Sequence, residues 1–101
     1  MSEPPADAET FLAVTDSVAA LQPGLSTLEA GILAALHLGL AHDSRSFARV
    51  FGLEHALVLR AVETLASDAG LLALRERNPR TQRTRYGASP AGDAVLAHLH
   101  G

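Results

Sequence analysis

Apolar positions recur at helical spacing through the first two thirds of the chain. Residues 7–22 carry Phe11, Val14, Val18 and Leu21 three and four apart, the spacing of one helical face, and Pro23-Gly24 ends the segment. Ser26-Thr27-Leu28-Glu29 has the form of a capping box, in which the serine hydroxyl and the glutamate carboxylate satisfy each other's backbone amides. It opens a second helix with Leu28, Ile32, Leu33, Leu36 and Leu40 on one face, fading at His42-Asp43. Asp43-Ser44 caps a short third helix through Phe51, with Phe47, Ala48 and Phe51 as its apolar face and Gly52 as its stop. A fourth helix runs from Glu54 to Ala69 with Val58, Val62, Leu65 and Ala69 inward, and Gly70 closes it.

The period then changes. Leu72–Arg77 and Thr84–Ala88 read as two strands joined across 78–83, and Ser89-Pro90 starts a last short helix carrying Val95, Leu96 and Leu99. The predicted fold is mainly α with a small β-hairpin (α+β), in the order α-α-α-α-β-β-α. A chain of 101 residues holds one core. Residues 1–6 are expected to be a loose, disordered start, 7–25 a separate N-terminal helix, and 26–101 the folded unit.

Composition narrows the chemistry. With no cysteine, disulfides, thiolate zinc sites and thiol nucleophiles are excluded. The acidic, proline-bearing start lacks the basic and apolar regions of a secretion signal, so a cytoplasmic location is expected. The apolar stretch from Ala30 to Ala41 is far short of the roughly 20 residues of a membrane span. No two of the five histidines have the i, i+4 spacing with a supporting carboxylate that helical zinc sites use, so no metal and no cofactor are expected. The absence of a glycine-rich phosphate loop and of a nucleophile-elbow serine argues against an enzyme.

Charge is unevenly placed. The net charge is −3, yet residues 1–43 hold six acids and no base, whereas residues 44–88 hold all eight arginines against four acids. Five of them, Arg75, Arg77, Arg80, Arg83 and Arg85, lie within eleven residues that contain a single acid, Glu76. A local basic patch, rather than the overall sum, is what a polyanion meets.

The run Ser46-Phe47-Ala48-Arg49-Val50-Phe51-Gly52-Leu53, followed by Val58, Val62, Leu65 and Ala69-Gly70-Leu71-Leu72, resembles the helix-turn-helix of winged-helix transcriptional regulators. The basic hairpin running into Tyr86-Gly87-Ala88-Ser89-Pro90-Ala91-Gly92 looks most like the MarR-like group, and the likeness spans about residues 26–97. The resemblance implies sequence-specific binding of double-stranded DNA in transcription regulation. The helix over 54–69 would enter the major groove and the hairpin over 72–88, the wing, would lie on the backbone or minor groove.

On a helix whose Val58 line faces inward, Ala56, Arg60, Glu63 and Ser67 face outward. His55, Ala56 and Arg60 then sit where base edges are met, with Arg60 able to donate two hydrogen bonds to guanine. Glu63 orients Arg60 from one turn away, repels phosphate, or forms a solvated intrahelical pair with Arg60. Leu57 and Leu59 are apolar for such a face, with packing against adjacent helices as the preferred role. Thymine methyls and a protein interface are the other roles open to them. Ser44 and Arg45 at the start of the third helix suit a phosphate, and Arg75, Arg77, Arg80, Arg83 and Arg85 suit the DNA backbone. A homodimer is expected through the stripe Phe11, Val14, Val18 and Leu21, joined by Val95, Leu96 and Leu99. A small-molecule effector is unknown from the residues. The alternative reading is a winged-helix protein–protein interaction module.

Overall fold

The computed structural model describes residues 8–99 and contains α1 (Ala8–Leu21), α2 (Thr27–Leu38), α3 (Ser44–Phe51), α4 (His55–Ser67), β1 (Leu72–Arg77), β2 (Thr84–Ala88) and α5 (Pro90–Leu96). The segment 1–6, the Asp7 start expected for the first helix, and the last two residues of the 26–101 unit lie outside the described residues. The element order is the expected α-α-α-α-β-β-α, mainly α with one antiparallel hairpin. No described helix is long and apolar enough to cross a membrane.

Both halves of the capping box form at the start of α2. Ser26 Oγ accepts from the Glu29 amide at 3.1 Å, and Glu29 Oε1 accepts from the Ser26 amide at 2.9 Å. A cap of this kind contributes about 1 kcal/mol. The far end of α2 lies earlier than His42-Asp43. Gly39 adopts φ 74°, a left-handed conformation that glycine takes without a Cβ penalty, and the Leu40 amide turns back to the Ala35 carbonyl. Leu40 still rests on the core as the apolar residue just past this cap, which is why its spacing reads as helical.

The core surrounds α2. Six consecutive residues, Ala30, Gly31, Ile32, Leu33, Ala34 and Ala35, are buried, a pattern that arises only when a helix is covered on several sides. One of those covers is α1. Val18 has no exposed surface, and Phe11 lies 4.6 Å centroid to centroid from Phe51, which in turn lies 4.5 Å from Phe47. The row of three phenylalanines ties α1 to α3 across the α2 backbone at Gly31. The stripe Phe11, Val14 and Val18 therefore closes this chain's own core, with Leu21 left 40% exposed. Val95 is also buried, and Leu96 and Leu99 are packed beside it. Of the residues expected at a homodimer face, Val18 and Val95 are taken up by this chain's own core.

At the end of α4 the chain leaves the helix at Ser67, and Ala69 is exposed rather than inward. The Leu71 amide returns to the Leu65 carbonyl at 2.8 Å around Gly70, so Leu71 takes the buried place expected for Ala69. The strands pair with Leu72 opposite Ala88 and Arg77 opposite Thr84, and a bulge between Leu74 and Glu76 leaves Arg75 unpaired. The Tyr86 amide donates to the His42 carbonyl, and Asp43 bridges Arg85, so the α2–α3 linker adds a short third edge to the hairpin.

The opening of α5 lies hard against this hairpin. Ser89 caps the helix through the Gly92 amide and donates its own hydroxyl to the Gly70 carbonyl. A Cβ at Gly92 would overlap the Leu71 carbonyl, which belongs to the backbone and cannot swing away. Alanine ordinarily favours a helix over glycine by about 1 kcal/mol, but here overpacking of about 1–3 kcal/mol opposes it. Gly92→Ala is expected to lower the urea midpoint without changing the slope. An unchanged or raised midpoint would contradict this close approach.

Candidate nucleic-acid interface

The candidate site is built on the junction of α3, α4 and β2. Asp43 caps α3, accepting from the Ser46 amide and the Ser46 hydroxyl at 2.8 Å each. Burial by itself raises the Asp43 carboxyl. The two Ser46 bonds, the nearby Arg83 guanidinium and the Arg45 amide outweigh it and hold the group below its ordinary value of 3.8.

Ser44, expected to meet phosphate, is instead fully buried. Its Oγ accepts from the Thr84 amide at 3.0 Å and lies 2.7 Å from His55 Nε2, so one hydroxyl joins three elements. His55, expected as a base contact, is half-buried and directed inward through this bond. Burial and then Arg45 lower its pKa from the ordinary value, with Asp43 acting weakly in the opposite direction. Arg45 donates from Nε and Nη2 to the Thr81 carbonyl, at 3.1 and 2.7 Å, and so clamps the hairpin tip to the start of α3.

The basic hairpin finds more internal acid than Glu76 supplies. Arg77 reaches Glu63 of α4 at 2.7 Å while its Nε donates to Thr84 Oγ1. Arg83 meets Asp43 at 3.2 Å, and Arg85 approaches Glu76 at 4.0 Å. Glu63 therefore neither orients Arg60 nor forms an intrahelical pair with it. It braces the hairpin against α4. Surface pairs like these are each worth well under about 1 kcal/mol, and they fix orientation more than stability.

Among the described residues, Arg49, Arg60, Arg75 and Arg80 have no ion pair and no side-chain hydrogen bond. Arg75 projects from the bulge and lies over Gly87, where any Cβ would strike its guanidinium. Ala56 and Arg60 are exposed on the outer side of α4, as the periodicity predicts.

A cleft of about 260 Å³ opens between α3, the start of α4 and the hairpin, lined by Arg45, Ala48, Arg49, Leu53, His55 and Arg83. A second, of about 350 Å³, runs along the hairpin past Arg77, Arg83 and Arg85, and Arg83 borders both. Such a surface suits the phosphates of an extended polyanion. Arg49, which the sequence pattern does not single out, lines the first of these clefts. Its signal was present: it follows Arg45 by four residues on α3, which puts both on one helical face.

Leu57 is 51% exposed and Leu59 half-buried, so packing against neighbouring helices does not absorb Leu57. Val50 and Leu53 are exposed nearby in the chain at the α3–α4 turn.

Asp43→Ala is expected to cost about 1–2 kcal/mol of unfolding free energy, because it removes the α3 cap and leaves Arg83 without its acid. Asp43→Asn, which can still accept from the Ser46 amide, should recover most of that in urea denaturation. Because the folded carboxyl titrates below 3.8, its charge-dependent contribution is complete above that pH and lost as pH falls through the lower, folded value. Equal stability of the alanine variant and the parent would remove Asp43 from this role.

Comparison with known protein families, with characterised proteins and with solved structures gives no match, so the functional reading rests on the geometry of this face.

Proposed function

We propose that this domain binds double-stranded DNA as a winged-helix regulator, with the outer side of α4 in the major groove and the hairpin on the sugar–phosphate backbone. The observation that carries the reading is the arginine-lined cleft beside α4, bordered by Arg83, which also borders the cleft along the hairpin. Two internal restraints support it. Arg45 holds the hairpin tip to α3, and the Arg77–Glu63 pair holds its stem to α4. The contact surface is thus arranged before any ligand arrives, which reduces the ordering cost of binding.

The roles divide by pairing. Arg49, Arg75 and Arg80, which have no acid partner, are the backbone contacts, and each releases counterions from DNA without first breaking a salt bridge. Arg60 is the base reader, exposed near the N-terminal part of α4, where its guanidinium can address guanine. Arg77 and Arg83 act chiefly as braces.

The exposed Leu57 favours one further reading. An apolar residue beside Ala56 and Arg60 can meet a thymine methyl in the groove, or it can anchor a protein surface in an interaction module that does not bind DNA.

Fluorescence anisotropy on duplexes across a salt series tests these assignments. Arg80→Ala should weaken all sequences about equally and lower the salt slope by roughly one unit, whereas Arg77→Ala should change the slope less. Arg60→Ala should cost about 1–3 kcal/mol on a preferred site and little on random sequence. Absence of salt-dependent binding to any duplex would favour the protein-binding alternative.

A further inference from the structure

The Ser44 hydroxyl has one hydrogen and two lone pairs, and it has no exposed surface through which water could reach it. The Thr84 amide donates to one lone pair at 3.0 Å. The hydroxyl hydrogen then has His55 Nε2, 2.7 Å away, as its acceptor. With Nε2 the one acceptor within reach of the Ser44 hydroxyl among the described residues, assigning the hydroxyl hydrogen there makes His55 the neutral Nδ1–H tautomer while the junction is closed.

We propose that His55 is a proton-sensitive latch, closed when neutral, that positions the hairpin on α3 and α4 and releases it when Nε2 is protonated. A proton on Nε2 turns an acceptor into a donor aimed at Ser44 Oγ. The hydroxyl hydrogen then loses its acceptor inside a closed site, and the bond network that included the Thr84 amide no longer balances. Relief comes from moving the ring away from Ser44 toward the cleft, whose wall it already forms and through which the proton arrives.

The surroundings oppose protonation. Arg45 and Arg49 of α3 and Arg83 before β2 line the cleft with the ring. His55 also occupies the first turn of α4, where the helix dipole disfavours a cation. The acids near it are Asp43, engaged with Ser46 and Arg83, and the solvent-facing Glu54 at the cap of its own helix.

The sign follows from linkage. A histidine whose folded pKa lies below its ordinary 6.5 binds fewer protons folded than unfolded. Its stabilising contribution is therefore complete above that range and declines as pH falls through 6.5 toward the folded value. Each unit of separation raises the unfolding equilibrium constant about tenfold on the acid side. The latch itself does not depend on the DNA reading, and only its consequence for duplex affinity does.

Nuclear magnetic resonance on the full chain tests it without any ligand. Near pH about 7.5, above the ordinary histidine range, ring nitrogen shifts should identify His55 as the Nδ1–H tautomer. As pH falls through the titration of that ring, exchange protection of the Thr84 amide should drop about tenfold or more relative to the Tyr86 amide. The Tyr86 amide is the internal control, bonded in the same strand to the His42 carbonyl. His55→Gln, whose side-chain carbonyl can accept from Ser44 but does not titrate, should abolish the difference. An Nε2–H tautomer at neutral pH, a Thr84 amide indifferent to the ring's titration, or the same acid loss in His55→Gln would overturn the proposal. Should that variant not fold, the tautomer and the Thr84-to-Tyr86 ratio in the parent protein decide alone. Duplex binding that survives a failed latch leaves the preceding function intact.

Discussion

One buried hydroxyl holds the working face together. Ser44 Oγ accepts the Thr84 amide and bonds His55 Nε2, and through it the start of α3, the start of α4 and the first residue of β2 meet at a point closed to solvent. A hydroxyl buried without partners costs free energy, whereas one fully satisfied fixes geometry in a low-dielectric setting. The hairpin packs on the helices through few apolar contacts beyond Leu72 and Tyr86, so its direction relative to α4 depends on this point and on the Arg45–Thr81 and Arg77–Glu63 contacts around it.

The arginines divide into two populations. Arg45, Arg77, Arg83 and Arg85 have partners inside the domain. Their positive charges are partly compensated, and the contacts of Arg45, Arg77 and Arg83 orient the hairpin on the helices, whereas Arg85 pairs within the hairpin. Arg49, Arg60, Arg75 and Arg80 are left uncompensated on the surface so arranged. Among the described residues, the acids outside this region include Glu9 and Asp16 on α1, Glu29 at the start of α2 and Asp93 on α5. A net charge of −3 is thus compatible with a basic face, because all eight arginines lie within residues 44–88 against four acids.

Local chemistry was legible in the residues and tertiary pairing was not. The Ser26–Glu29 box, the Asp43 cap, the Gly52 stop, the strand boundaries and the Ser89-Pro90 start all depend on neighbours within a few positions, and each forms where the pattern places it. Errors arose where a distant segment decides the outcome. The stripe on α1 has the spacing of a partner face, and only the Phe11–Phe51 contact, between residues forty positions apart, shows that part of it rests on this chain's own core. Ser44 has the composition of a phosphate ligand and the position of a buried linchpin, because Thr84 arrives from forty residues along the chain. Glu63 is a helical neighbour of Arg60 yet binds Arg77, since the hairpin brings a second guanidinium within 2.7 Å. Arg49, one helical turn from Arg45, is a sparser signal than the dense run at 75–85, and only the cleft shows the two side by side.

Titrating the full chain with duplex DNA while following every backbone amide tests the proposed surface most directly. A DNA-binding face built as described predicts salt-sensitive shifts concentrated at Arg49, at the outer side of α4 from Ala56 to Arg60, and at the hairpin tip around Arg80, with α1 and the buried stretch Ala30–Ala35 unmoved. Shifts confined to α1 and α2, or no shifts at any duplex concentration, would contradict it.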